Sequence, residues 1–144
     1  MAVSLEPGRR AATAIRFIFG LCFVAVGVIH FVVPEGLPAP MAWMYELSGS
    51  LHVIAGTAEI LGGLGLVLPS LFGIAPRLTG AAAIGLTLTM MGAAAWHLGR
   101  DEWVQIFGNL AVAGLLAYVA VHEWRGTSGD THAISHPGNR VMVR

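Results

Sequence analysis

Apolar runs about as long as a bilayer is thick recur four times in this chain, at residues 14–33, 51–68, 78–98 and 103–124. An α-helix needs roughly 20 apolar residues to cross a hydrocarbon core. Within lipid a helix satisfies its own backbone hydrogen bonds, which an open strand cannot do. The pattern therefore predicts an all-α protein, a transmembrane four-helix bundle. The shortage of charge agrees. Only 11% of the 144 residues are charged and 56% are hydrophobic, with mean hydropathy +0.72. A water-facing domain carries roughly 25% charged residues. The formal net charge of +0 and the lack of any basic stripe exclude nucleic acid as an expected partner.

The connections read as loops. Pro34, Gly36, Pro38 and Pro40 end the first helix, and residues 41–45 form a short interfacial segment with Trp43 and Tyr45 at headgroup level. Ser48 offers an N-cap for the second helix. Residues 69–76 make the second loop and residues 99–102 a tight third one. Residues 1–125 form the membrane domain, and residues 126–144 are expected to be a disordered polar tail. Arg9, Arg10 and Arg16 before the first run imitate a signal peptide, but no A-x-A cleavage site follows, so that helix is expected to be retained.

Arginine placement orients the bundle. Arg9, Arg10, Arg16, Arg77, Arg125, Arg140 and Arg144 fall on one side and Arg100 on the other, with no lysine present. The positive-inside rule then puts both termini in the cytoplasm of a multi-pass protein of the cell (inner) membrane.

Glu59 is the exceptional residue. It lies mid-way along an otherwise apolar second run, where a carboxylate costs on the order of 2.5–3.5 kcal/mol on insertion scales. Such a group is expected to face the bundle interior. His52, Gly56, Glu59 and Gly63 share one helical stripe, and small residues mark it as a helix–helix contact. With alternating helix directions, His30, His52 and His97 gather at one end. Gln105 and Asn109 begin the fourth helix there, and Asn109 comes to a depth similar to that of Glu59. The candidate ligand-binding set is thus His30, His52, Glu59, His97 and Asn109, with Glu59 the candidate catalytic group. Each member also has a plain reading, which for Glu59 is a buried hydrogen bond that locks two helices. A histidine near a helix end bonds a free carbonyl or sits among headgroups, and Asn109 bridges helices. His122 reads as interfacial, and His132 and His136 belong to the tail.

Other features point to packing. Gly56, Gly62, Gly63 and Gly65 in the second helix, and Gly80, Gly85 and Gly92 in the third, are expected to let backbones approach. Cys22 is the only cysteine, so no intrachain disulfide or C-x-x-C redox chemistry is available. It is expected to be a small buried hydrophobe.

The stretch Gly27-Val28-Ile29-His30-Phe31, followed by Pro34, and the stretch Ala58-Glu59-Ile60-Leu61-Gly62-Gly63-Leu64-Gly65-Leu66 resemble the DoxX/DoxX-like family of small four-helix membrane proteins. The resemblance covers residues 16–118. It implies a membrane address and an association with quinone-linked redox chemistry, because the family name came from subunits linked to a quinol oxidase and to thiosulfate:quinone oxidoreduction. On matching positions His30 and Glu59 are motif residues, and His97 is a weaker match.

Three functions follow as expectations. The first is an accessory subunit of a redox assembly that binds a protein partner or a second copy, and a quinone or lipid. The second is a small enzyme in which Glu59 and a histidine exchange protons with a hydrophobic quinone-like substrate. The third is a haem or metal protein, against which stands the lack of i, i+3 or i+4 spacing among His30, His52 and His97.

Overall fold

The computed structural model describes residues 7–73 and 76–133. Four long helices account for most of them: α1 Pro7–Val32, α2 Gly49–Leu71, α3 Pro76–Leu98 and α4 Trp103–Ala133. All four are long and apolar enough to cross a membrane, and no strand occurs among the described residues. Their perimeter carries large exposed apolar side chains, among them Leu21, Ile54, Leu61, Leu88, Val104 and Phe107. Water would tolerate no such contiguous surface, whereas acyl chains match it.

Helix ends follow local chemistry. The Ser48 side chain caps α2 by accepting from the Leu51 N–H. Pro69 lies inside α2 and does not end it, contrary to the expected loop at residues 69–76. Only the last turn follows it, so one lost backbone bond is all it costs there. The helix stops at Phe72, followed by Gly73 at φ +63°. Likewise α4 passes its expected end near residue 124 and enters the segment expected to be disordered, as far as Ala133. No proline interrupts it before Pro137, and propagating an existing helix needs no new nucleus. Residues 134–144 lie outside the described residues.

α1 packs chiefly on α2 and α3 on α4, while α2 and α3 join the two pairs and α1 touches α4 narrowly. The α1–α2 contact is glycine against glycine. A Cβ on Gly63 would lie 2.6 Å from the Gly20 carbonyl oxygen, and one on Gly56 would lie 2.9 Å from that of Gly27. On α3 the expectation fails in part. A Cβ on Gly80 would approach Trp124, but Gly85 and Gly92 have nothing within 4 Å of the position a Cβ would take. Cys22 is also corrected: it is exposed, as its position on the outer side of α1 allows, although it borders a cavity described below.

The core of Phe23, Leu66, Ala83, Leu86, Met90, Ala113, Leu116, Val119 and Ala120 fills the middle of the bundle. Away from the histidines, Arg16 of α1 pairs with Glu123 of α4 at 2.8 Å, and the Tyr118 hydroxyl donates to the Gly8 carbonyl at 3.3 Å. These polar links tie α1 to α4 where their apolar contact is narrow.

Candidate functional site

The connection between α1 and α2 folds inward. Its 3-10 helix, Ala39–Glu46, turns every three residues and so presents Met41, Met44 and Leu47 to the bundle. Met44 is fully buried. Trp43 was expected at headgroup level; instead its indole stands 5.9 Å from the His30 ring, 5.3 Å from His97 and 6.3 Å from Trp96. The segment seals the histidine end of the bundle and requires an apolar underside. Tyr45 keeps the outer place: its hydroxyl donates to the Pro34 carbonyl and accepts from the Leu37 N–H.

Beneath this cover Glu59 points into the bundle, 5% exposed, and His30 is 3% exposed. Glu59 Oε2 and His30 Nε2 lie 3.6 Å apart, and neither atom has a hydrogen-bond partner. Buried polar atoms without partners are rare, and each costs roughly 1–3 kcal/mol. Two of them facing each other make a place for one more group, or for a shared proton. Gly56 sets this geometry: a Cβ there would sit 2.8 Å from that of His30, so any larger residue drives α1 away from α2.

The histidines hold one another in a defined order. The Met44 carbonyl can only accept, so His52 Nε2, at 3.1 Å, donates to it. In a neutral His52 the other ring nitrogen, Nδ1, is then the acceptor. His30 Nδ1, 3.0 Å away, must donate to it. A neutral His30 therefore turns the bare lone pair of Nε2 towards Glu59.

His97 is fixed differently. Its Nδ1 donates to Glu102 at 2.6 Å, across the turn between α3 and α4. Asp101 at φ +58° bends the chain back far enough for this contact. Arg100 bonds Glu102 at 3.3 Å, pairs with Glu46 of the 3-10 segment and stacks on Trp96 at 4.6 Å. The hydrogen bond from His97, reinforced by Arg100, holds the Glu102 carboxyl below its ordinary range and outweighs the opposing effect of desolvation. A carboxyl favoured in its charged form stabilises the fold at and above its ordinary pKa of 4.5, and the contribution is lost as pH falls through the depressed value. Thermal unfolding of wild type in acid should therefore show a stability loss that Glu102→Gln lacks. Parallel pH profiles for the two proteins would remove Glu102 from this role.

Two cavities meet at Glu59. The outer one, about 300 Å³, is lined by His30, Trp43, Glu59, Trp96 and His97 with apolar residues of α2 and α3. The inner one, about 220 Å³, runs between α1 and α4 past Phe23, Met90 and Asn109. Trp43, Glu59, Ala93 and His97 border both. Four of the five candidate residues, His30, Glu59, His97 and Asn109, thus line these two spaces, while His52 lines neither and stands behind His30. His30, His52 and Glu59 are brought into direct line and His97 stands across the Trp43 indole. Asn109 reaches the inner cavity with its Nδ2 donated to the Gln105 carbonyl at 2.9 Å. Trp43, Trp96 and Glu102 were not among the sequence candidates. Only the spacing of His97 and Glu102 across a tight turn offered a signal. Among the described residues no three His, Cys, Asp or Glu side chains converge as a metal site.

Fold and site together define a multi-pass helical membrane protein with a carboxyl–imidazole pair buried beside an aromatic-walled cavity. The chain belongs to the DoxX-like family, whose model matches residues 14–120. Neither curated proteins nor solved structures give a match.

Proposed function

We propose that this DoxX-like protein is an accessory subunit of a membrane redox process that holds a quinone-type lipophile in the outer cavity. Its termini lie in the cytoplasm of a bacterial cell, and the 3-10 segment faces outward from the inner membrane. The observation that carries this reading is the pair of unpartnered buried atoms, His30 Nε2 and Glu59 Oε2, at the cavity wall. A ligand with a carbonyl or hydroxyl completes such a pair: it takes a proton from a neutral Glu59 carboxyl or gives one to the imidazole lone pair. Trp43 and Trp96 supply flat apolar walls for a ring, and about 300 Å³ is at the small end of ligand pockets, roughly 300–1,000 Å³. The accessory role draws on the exposed apolar perimeter and on the single cysteine.

Titration of a short-chain quinone into the detergent-purified protein, read by tryptophan quenching, tests this. Wild type should bind, and Glu59→Leu and His30→Phe should each bind roughly tenfold to a hundredfold more weakly, the equivalent of one lost buried hydrogen bond. Equal affinity in all three proteins would end the proposal. Recovery of a stoichiometric partner in mild detergent supports the accessory role. Quinol turnover by the isolated protein, abolished in Glu59→Gln, would favour the enzymatic alternative.

A further inference from the structure

Besides the ligand cavity, the site contains a directed chain of proton carriers. We propose that His30 and His52 relay protons between the buried Glu59 carboxyl and water at the histidine end of the bundle. This goes beyond ligand binding and does not depend on which molecule fills the cavity.

Three observations carry it. The spacings are short and continuous: Glu59 Oε2 to His30 Nε2 is 3.6 Å, His30 Nδ1 to His52 Nδ1 is 3.0 Å, and His52 Nε2 to the Met44 carbonyl is 3.1 Å. Burial falls along the same line, from Glu59 and His30, both nearly fully enclosed, to half-buried His52 near the start of α2. The carbonyl also fixes the tautomers, so every donor in the chain faces an acceptor. A purely structural histidine pair would leave no orphaned lone pair beside a carboxyl.

The transfer balances without any partner beyond water. The Glu59 O–H proton passes to His30 Nε2, the His30 Nδ1 proton to His52 Nδ1, and the His52 Nε2 proton to a water that replaces the Met44 carbonyl. A carboxylate remains at Glu59 and one hydronium leaves. No electron moves, and the reverse passage restores both tautomers. The first gap must close from 3.6 Å to about 2.7 Å, which a side-chain rotation supplies. It is too short to admit an intervening water.

The surrounding groups offer no equivalent path. From α3 and α4, His97 and Asn109 border the same inner cavity as Glu59, but His97 Nδ1 is held by Glu102 and Asn109 Nδ2 by Gln105. No hydrogen bond joins either to Glu59. Of the charged groups at that end, Arg100 pairs with both Glu46 and Glu102, and Glu35 and Asp101 are exposed.

Infrared hydrogen–deuterium exchange of the Glu59 carboxyl band, assigned by its loss in Glu59→Gln, tests the relay in the full chain. His52→Gln keeps one acceptor for His30 and one donor for Met44, yet an amide does not pass protons. Exchange should slow roughly a hundredfold in His52→Gln and in His30→Gln, the effect of removing a positioned proton-transfer group. His52→Ala should be equally slow and recover with added imidazole, which separates relay from packing. Wild-type exchange rates in His52→Gln, no imidazole recovery in His52→Ala, or no protonated Glu59 band at neutral to mildly acid pH would each overturn it. Quinone binding measured on the same variants keeps the two ideas apart. Lost quinone binding with fast wild-type exchange would end the ligand reading alone, and wild-type exchange rates in His52→Gln would end the relay alone.

Discussion

Gly63→Ala is expected to destabilise the bundle, whereas Gly85→Ala, the same change one helix away, is expected to stabilise it. A new Cβ on Gly63 meets the Gly20 carbonyl oxygen at 2.6 Å, the Val24 side chain at 2.9 Å and the Val24 backbone nitrogen at 3.0 Å. Two of these three are backbone atoms and cannot rotate away. Relief requires α1 to move off α2, and overpacking of this kind costs roughly 1–3 kcal/mol. Alanine regains only about 0.5–1 kcal/mol of helix propensity, so the loss prevails. At Gly85 no atom lies within 4 Å of the new methyl, and the propensity gain stands alone. Unfolding midpoints in one detergent read the two signs directly. The separation has a second consequence, since Gly27 and Gly56 one turn-pair along the same contact position His30 against α2. Gly63→Ala should therefore also weaken ligand binding while Gly85→Ala leaves it intact. Midpoints that move in the same direction would show that α1 and α2 do not meet backbone to backbone.

Much of this site was legible because helical periodicity carries side-chain direction. Glu59 shares a stripe with Gly56 and Gly63, and both glycines are buried beside it. Alternating helix directions were enough to bring His30 to His52. What sequence did not convey was set by irregular backbone. Trp43 lies in a 3-10 segment between two helices, where no 3.6-residue period assigns its side chain a face. Glu102 reaches His97 only because Asp101 adopts a left-handed conformation that no periodic pattern announces. The α3 glycines misled for a different reason. Composition counts Gly80, Gly85 and Gly92 alike, but only Gly80 faces a neighbouring side chain, the Trp124 ring.

Trp43→Ala should have the largest effect of any single truncation, because the indole is at once a cover, a partition and a ring partner. With Glu59, Ala93 and His97 it forms the wall shared by the outer cavity of about 300 Å³ and the inner one of about 220 Å³, and it touches the rings of His30, His97 and Trp96. Truncating a packed tryptophan costs about 3–5 kcal/mol, and the half-buried setting of Trp43 favours the lower figure. Trp43→Phe keeps an aromatic wall and should recover most of the loss. Function should change as well as stability. With the partition gone, Glu59 borders one space that extends past Phe23 and Met90 to Asn109. The variant should therefore prefer bulkier quinone-type ligands over the small rings that suit the native outer cavity, reversing their order of affinity. Tryptophan quenching across a ligand series, with Trp96 as the remaining reporter at the site, measures that order. An unchanged order in Trp43→Ala would mean that the indole does not divide the space and that the ligand lies elsewhere.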